Sequence, residues 1–412
     1  MALRASVYRH WLQVGLHSIW VYIDFAISWS IPKMGGGSMG VTLSFDSALW
    51  VTRLLRCEGH SILEMNTEDL KRPSTWEGKR WSLKEFTSEK WKWQTPSEQN
   101  PLKVLVPSHA DRIRMETVES RICARKLPSG SIIWLDEVSS MVSPELLFYQ
   151  MSTVLPIHLL VILGHELCGH FSLAPSGLGG NKASMIIPSA TSVERIKSYL
   201  DSLCGSRGAK HARLALCYVA NSALSYPEAL LSAVCSFPCE LHGYGLGSVT
   251  LNERVIISDG IRMSLRKQNR YPDLMFSFAP VGINYEGEGH LDLRGLMEIV
   301  RLTQRAEGDE AKVAEAALSE KITDIRTKYV DDIQRDRDLI ARGRVVLRAT
   351  KEDLADGDSL DMLIQQILEI AQSVFGIDTK KQIEMLDDTD SRRDRHQLIH
   401  SLLQFGTNPS SF

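Results

Sequence analysis

Apolar positions along the chain follow two different periods. After Ser143-Pro144-Glu145, apolar residues Leu146, Leu147, Met151, Val154 and Leu155 recur at helical spacing. Serine is a natural N-cap, proline suits the first helical turn, and an acid there complements the positive end of the helix dipole. The pattern predicts a helix from this signal, a second from Pro156 to Cys168 stopping near Gly169, and two more over 193–203 and 209–223. Upstream, Lys103–Pro107 and Ser131–Leu135 are short apolar runs of strand length. Ser225-Tyr226-Pro227-Glu228 repeats the helix-start signal and opens a helix through Ala229–Phe237. Beyond Gly243–Gly247 the pattern becomes extended at Val249–Ile257, Leu274–Phe278 and Gly282–Tyr285. Residues 291–342 return to a charged helical pattern, 344–348 read as a strand, and 359–375 carry Leu360, Leu363, Ile364, Ile367, Leu368 and Ala371 on one helical face. Helix, three strands, helix, strand, helix makes an α/β unit of about one domain.

The length of 412 residues allows two or three domains. The reading divides the chain into residues 39–220, an α+β, helix-rich region, residues 221–376, and a polar tail over 377–412 with its own apolar stretch at Leu398–Phe405. Charge then narrows the function. With 47 Lys and Arg against 50 Asp and Glu, the net charge is −3, which excludes a polycation that coats nucleic acid by bulk charge and leaves room for a local basic face. Seven cysteines at irregular spacing, without a CxxC pair, suit a reducing cytoplasm better than a disulfide framework.

Residues 11–31 are apolar enough in length for a membrane anchor, but Gln13, His17 and Asp24 interrupt them, and an intramembrane Asp costs about 2.5–3.5 kcal/mol. The glycine run Gly35-Gly36-Gly37 before Met39 favours a different reading, in which residues 1–38 are a mistranslated leader upstream of a start at Met39. An N-terminal anchor is the competing reading. Trp76, Trp81, Trp91 and Trp93 alternate with lysines and arginines, a pattern that can stack bases. Tryptophans packed inside a small module, with the cations outside, is the favoured interpretation.

Three motif-like stretches carry no chemistry on spacing grounds. His165 and His170 resemble a zinc-protease pair but stand five apart, whereas helical chelation needs i and i+4. Cys235, Cys239 and His242 lack an evident fourth ligand. Gly243-Tyr244-Gly245-Leu246-Gly247 matches no phosphate-cradling loop.

The informative stretch runs from Glu228 to Arg348. Pro272-Asp273 starts a strand, and after a hairpin around Pro280–Gly282 the returning strand carries Asn284 and Glu286 on one face. Such a hairpin brings Asp273 and Glu286 together, a usual way to hold Mg²⁺ with few protein ligands. The same stretch contains Tyr285-Glu286-Gly287 with His290 following, then Asp332, Arg335, Asp336, Leu339 and Gly343, then Val346-Leu347-Arg348. These motifs resemble an uncharacterised endonuclease-domain family related to very-short-patch mismatch-repair endonucleases, within the PD-(D/E)xK superfamily. The resemblance covers roughly residues 221–375. Residues 100–220, with Ser143-Pro144-Glu145 and Glu166-Leu167-Cys168-Gly169, resemble the region fused to this domain in abortive-infection antitoxin-like bacterial proteins.

The resemblance implies an α/β fold with a restriction-endonuclease-like mixed sheet flanked by helices in the C-terminal half. It implies Asp273 and Glu286 as ligands of Mg²⁺ or Mn²⁺, Glu228 as a further or orienting acid, and His290 as a general acid/base. Arg335 and Arg337 fall on a helix flanking the site and are expected to contact nucleic acid. Position 284, where the family has Glu, is Asn here, and no catalytic lysine follows in the superfamily's place. Arg262, Arg266, Lys267 and Arg270 form a basic run suited to phosphate contacts. Two expectations follow: a metal-dependent endonuclease acting on DNA, or a catalytically impaired DNA- or partner-binding regulator of a defence or toxin–antitoxin locus.

Overall fold

In the computed structural model the described residues are 41–70, 96–136, 139–173, 187–203, 208–256, 269–287, 293–306 and 308–407. The expected leader or anchor and the tryptophan–lysine stretch lie outside them, as do Arg262, Arg266, Lys267 and His290. The elements run β1 (Val41–Leu43), α1 (Phe45–Cys57), β2 (Thr67–Glu68), β3 (Leu102–Val106), β4 (Val118–Ile122), β5 (Ile132–Asp136) and β6 (Ser139–Val142). Next come α2 (Pro144–Met151), α3 (Ile157–Cys168), α4 (Val193–Ser202), α5 (Ala209–Leu216) and α6 (Tyr226–Ser236). β7 (Val249–Leu251), β8 (Val255–Ile256), β9 (Asn269–Arg270), β10 (Leu274–Phe276) and β11 (Val281–Glu286) precede the paired helices α7 (Leu293–Arg305) and α8 (Asp309–Ile340). The chain ends with β12 (Val345–Thr350), α9 (Lys351–Ala355), α10 (Gly357–Phe375), α11 (Lys380–Asp387) and α12 (Thr389–Thr407).

The α/β class expected from the pattern is present as two mixed sheets and a two-stranded ribbon. Six strands in the order β2-β5-β6-β1-β3-β4 form the first sheet, and β12-β11-β10-β7 form the second. Both helix-start signals act as the sequence predicts: Ser143 Oγ accepts from Leu146 N–H and Ser225 Oγ from Glu228 N–H. The expected helix over 209–223 stops at Leu216, and the expected strand over 249–257 is split in two. Asn252 causes the split by adopting a left-handed backbone (φ 51°), a conformation asparagine tolerates better than most residues.

The boundaries expected at 220 and 376 are not breaks in packing. One buried cluster runs from Val41 to Phe405 and includes Leu398, Ile399, Leu402 and Phe405 of α12, so the stretch read as a polar tail contributes to the main core. Tyr226 at the start of α6 donates to the Leu402 carbonyl, fixing α12 against the site-bearing half. In the first half, Arg53 pairs with Glu166 at 2.7 Å, and Arg56 donates to the carbonyls of Glu166, Gly169 and Pro188. Arg56, together with the N–H groups of Ala190, Thr191 and Ser222, satisfies carbonyls at the C-terminal end of α3, while Arg53 neutralises the Glu166 carboxylate. His165 is fully buried; its Nδ1 donates to the Val161 carbonyl while Nε2 accepts from Ala220 N–H and faces Ser232 Oγ at 2.9 Å. Burial pushes its pKa down to about 4, so the ring is neutral.

Candidate functional site

The second sheet builds the site at one end. β10 and β11 form an antiparallel hairpin in which Leu274 faces Ile283, and β12 joins β11 in parallel with Arg348 opposite Asn284. Gly282 permits the tight pairing, because a Cβ there would lie 2.3 Å from the Leu274 carbonyl oxygen. One step beyond Leu274, Asp273 N–H donates to Asn284 Oδ1 (3.1 Å), and Asn252 N–H donates to the Asp273 carbonyl (3.0 Å). Asn252, Asp273, Asn284 and Arg348 therefore form a polar row across all four strands.

Glu228 reaches this row from the first turn of α6. Its carboxylate accepts from Leu224 N–H (2.9 Å), Ser225 Oγ (2.8 Å) and Asn252 Nδ2 (2.8 Å). It completes the helix cap and ties it to the sheet. Burial raises its pKa, with those three donors opposing. Asp273 Oδ2 accepts from Tyr285 N–H at 2.7 Å. Its carboxyl is pushed up to about 7, first by burial and then by the charge of Glu228, with a smaller contribution from Glu286. The Tyr285 N–H and Arg335 pull in the other direction. Acids from three elements thus act on one another at one sheet end.

Two arginines balance part of this charge. Glu286 Oε1 is 3.3 Å from Arg335 and 3.2 Å from Arg348. Arg335 also pairs with Asp332 (3.4 Å), and Arg348 with Asp336 (2.7 Å) and Asp332 (3.8 Å). Arg335, expected on the flanking helix, is thereby engaged by site acids, whereas Arg337 is exposed. Arg270 differs from its expected role. It is 3% exposed and clamped by Asp331 and Asp338 of α8, each at 2.9 Å, so it anchors β9 to that helix and is not free for phosphate. Asn252 was not singled out in the sequence, and Arg348 stood there only as the end of the Val346-Leu347-Arg348 motif with no role at the site, because their contacts arise from pairing between strands distant in sequence.

The donor chemistry suits a hard divalent ion. Asp273, Glu286 and Asn284 offer oxygens toward one, and the Asp273 carboxyl is raised first by burial and only then by the charge of Glu228. The fit is incomplete in the geometry described. Asn284 is fully buried, and its Oδ1 must be the atom accepting from the Asp273 N–H, so Nδ2 is left without a hydrogen-bond partner among the described residues. The acid oxygens of Asp273, Glu286 and Glu228 are not gathered within 4.8 Å of one another, whereas ligand atoms of Asp358, Asp361 and His396 are. That second cluster is satisfied internally. Asp361 pairs with Arg395 (2.9 Å) and His396 (2.8 Å) and accepts from Tyr244, while Asp358 pairs with Arg392 (2.6 Å). It latches α12 onto α10.

A groove of about 630 Å³ between α3 and α12, lined by Pro156, His158, Leu159, Leu398, Leu402 and Phe405 among others, shares no residue with the acids. Among the described residues no helix is long and apolar enough to cross a membrane, and Cys57, Cys123, Cys168, Cys217, Cys235 and Cys239 are all unpaired thiols. No family model matches the chain, and no curated protein or solved structure matches it significantly.

Proposed function

We propose that the β7–β12 half is a restriction-endonuclease-like module that hydrolyses DNA phosphodiester bonds with Mg²⁺ or Mn²⁺ held by Asp273 and Glu286. The observation that carries this reading is the buried Asp273 carboxyl, driven up to about 7 beside Glu228 and Glu286 at a strand end. A fold gains no stability from grouping acids so, and a divalent ion relieves the repulsion. The bound ion would polarise the scissile phosphate and acidify an attacking water. The chain's own residues supply the frame. Tyr285 N–H orients Asp273, Asn252 and the helix cap hold Glu228 behind it, and Asn284 Oδ1 accepts from the Asp273 N–H. Arg337 is exposed for the backbone of the nucleic acid, and the antitoxin-like resemblance of the first half suggests a protein partner.

A second reading has its own observation. Asn284 removes one negative charge from the position where the family carries an acid, which favours a module that binds DNA or a partner without cutting. A cleavage assay on supercoiled plasmid and on single-stranded DNA, with Mg²⁺, Mn²⁺ or EDTA, separates the two. Cutting that needs metal and vanishes in Asp273→Ala supports hydrolysis. Retained DNA binding without cutting in any metal supports the second reading, and neither binding nor cutting refutes both.

A further inference from the structure

We propose that Arg348 is a built-in competitor of the divalent ion, a guanidinium that occupies the Glu286 carboxylate and weakens metal binding until it is displaced. The inference rests on the proposed metal role of Asp273 and Glu286 and adds what controls access to it. Three observations carry it. Arg348 stands directly opposite Asn284 in the parallel β11–β12 pair, so its stem starts inside the polar row. Its guanidinium lies 3.2 Å from Glu286 Oε1, the same oxygen that Arg335 approaches. Its far side is held by Asp336 at 2.7 Å, which keeps the charge at the site.

A divalent ion bonded to that oxygen at about 2.0–2.6 Å would sit roughly 4–5 Å from the guanidinium. Like charges at that spacing oppose each other appreciably even in a solvated setting. Asn284 increases the effect, since a neutral side chain there leaves the ion with less negative charge to offset the arginine. Arg335 is the more deeply buried of the two, with 16% of its side chain exposed against 33% for Arg348. Arg348 is therefore the one that solvent or nucleic acid reaches. Its partner Asp336 is 31% exposed but has its Oδ1 buried without a hydrogen-bond partner, so replacing Arg348 also removes the donors to Oδ2 and lowers stability, which thermal melts read separately from metal binding.

The test is Mn²⁺ binding to the full chain without DNA, followed by calorimetry and by the Mn²⁺ electron paramagnetic resonance signal. Arg348→Met and Arg348→Gln remove the charge; Arg348→Lys keeps it. The expected result is weak binding in the parent, about tenfold or more tighter binding in both neutral variants, and parent-like binding in the lysine variant. Asp273→Ala combined with Arg348→Met should lose the gain. Thermal melts of all variants show that they fold, and a purely structural arginine would not separate lysine from methionine in this pattern. If the parent binds Mn²⁺ through Asp273 and the neutral variants bind no tighter, the competitor role is wrong while the metal reading stands. If no variant binds Mn²⁺, or binding is indifferent to Asp273, the metal reading falls and the competitor role with it.

Discussion

Replacing Asp273 with asparagine tests whether the acid cluster is strained as its surroundings imply. The substitution keeps shape and leaves an amide oxygen to accept the Tyr285 N–H. It removes a charge that burial and Glu228 oppose. The ordinary aspartate value is 3.8 and the folded value is about 7, so the folded protein binds more protons than the unfolded chain across that window. Stability should then fall as pH rises from about 4 to 7, and the full deficit should be present above pH 7. A displacement of about three pH units corresponds to an upper bound of about 4 kcal/mol. Partial solvation and relaxation reduce this, so Asp273→Asn should stabilise the metal-free protein by about 2–4 kcal/mol at pH 8 and by almost nothing at pH 4. Urea unfolding followed by circular dichroism in EDTA at pH 4, 6 and 8 measures the difference. A variant equally stable to the parent at every pH, or less stable at pH 8, would refute the electrostatic reasoning.

Further predictions follow from neighbouring residues. Glu228→Gln removes the charge that ranks next to burial in raising Asp273, so the pH at which stability falls should move toward the ordinary carboxylate range in the same experiment. Arg270→Ala strands Asp331 and Asp338, one of them buried, and should cost about 3–5 kcal/mol in urea unfolding; an unchanged midpoint would deny the clamp. Gly282→Ala drives a methyl into the Leu274 carbonyl and should abolish both Mn²⁺ binding and cooperative melting of the hairpin half, whereas a fully active variant would contradict the described pairing.

The sequence was most readable where structure is local. Ser143 and Ser225 start helices because capping depends on residues three positions apart, and the Asp273–Glu286 hairpin joins neighbours along the chain. Glu228 was also legible, since the acid in the first turn of α6, three residues after the Ser225 cap, is the one carried to the sheet edge. Non-local partners were not. Arg348 reaches the site only because β12 returns in parallel beside β11 after the long excursion through α7 and α8. Arg270 looked like part of a free basic run, because nothing in its neighbours announces Asp331 and Asp338 some sixty residues on. The α12 apolar residues looked like a satellite of a polar tail because a helix that buries a narrow stripe has polar composition overall.

The most direct measurement of the central claim is the position of Mn²⁺ by anomalous scattering in crystals soaked with the ion. The proposed nuclease centre predicts a peak bonded to Asp273 and Glu286, with the Glu286 carboxylate drawn away from Arg348. A peak at Asp358, Asp361 and His396, or none at either place at millimolar Mn²⁺, would contradict it.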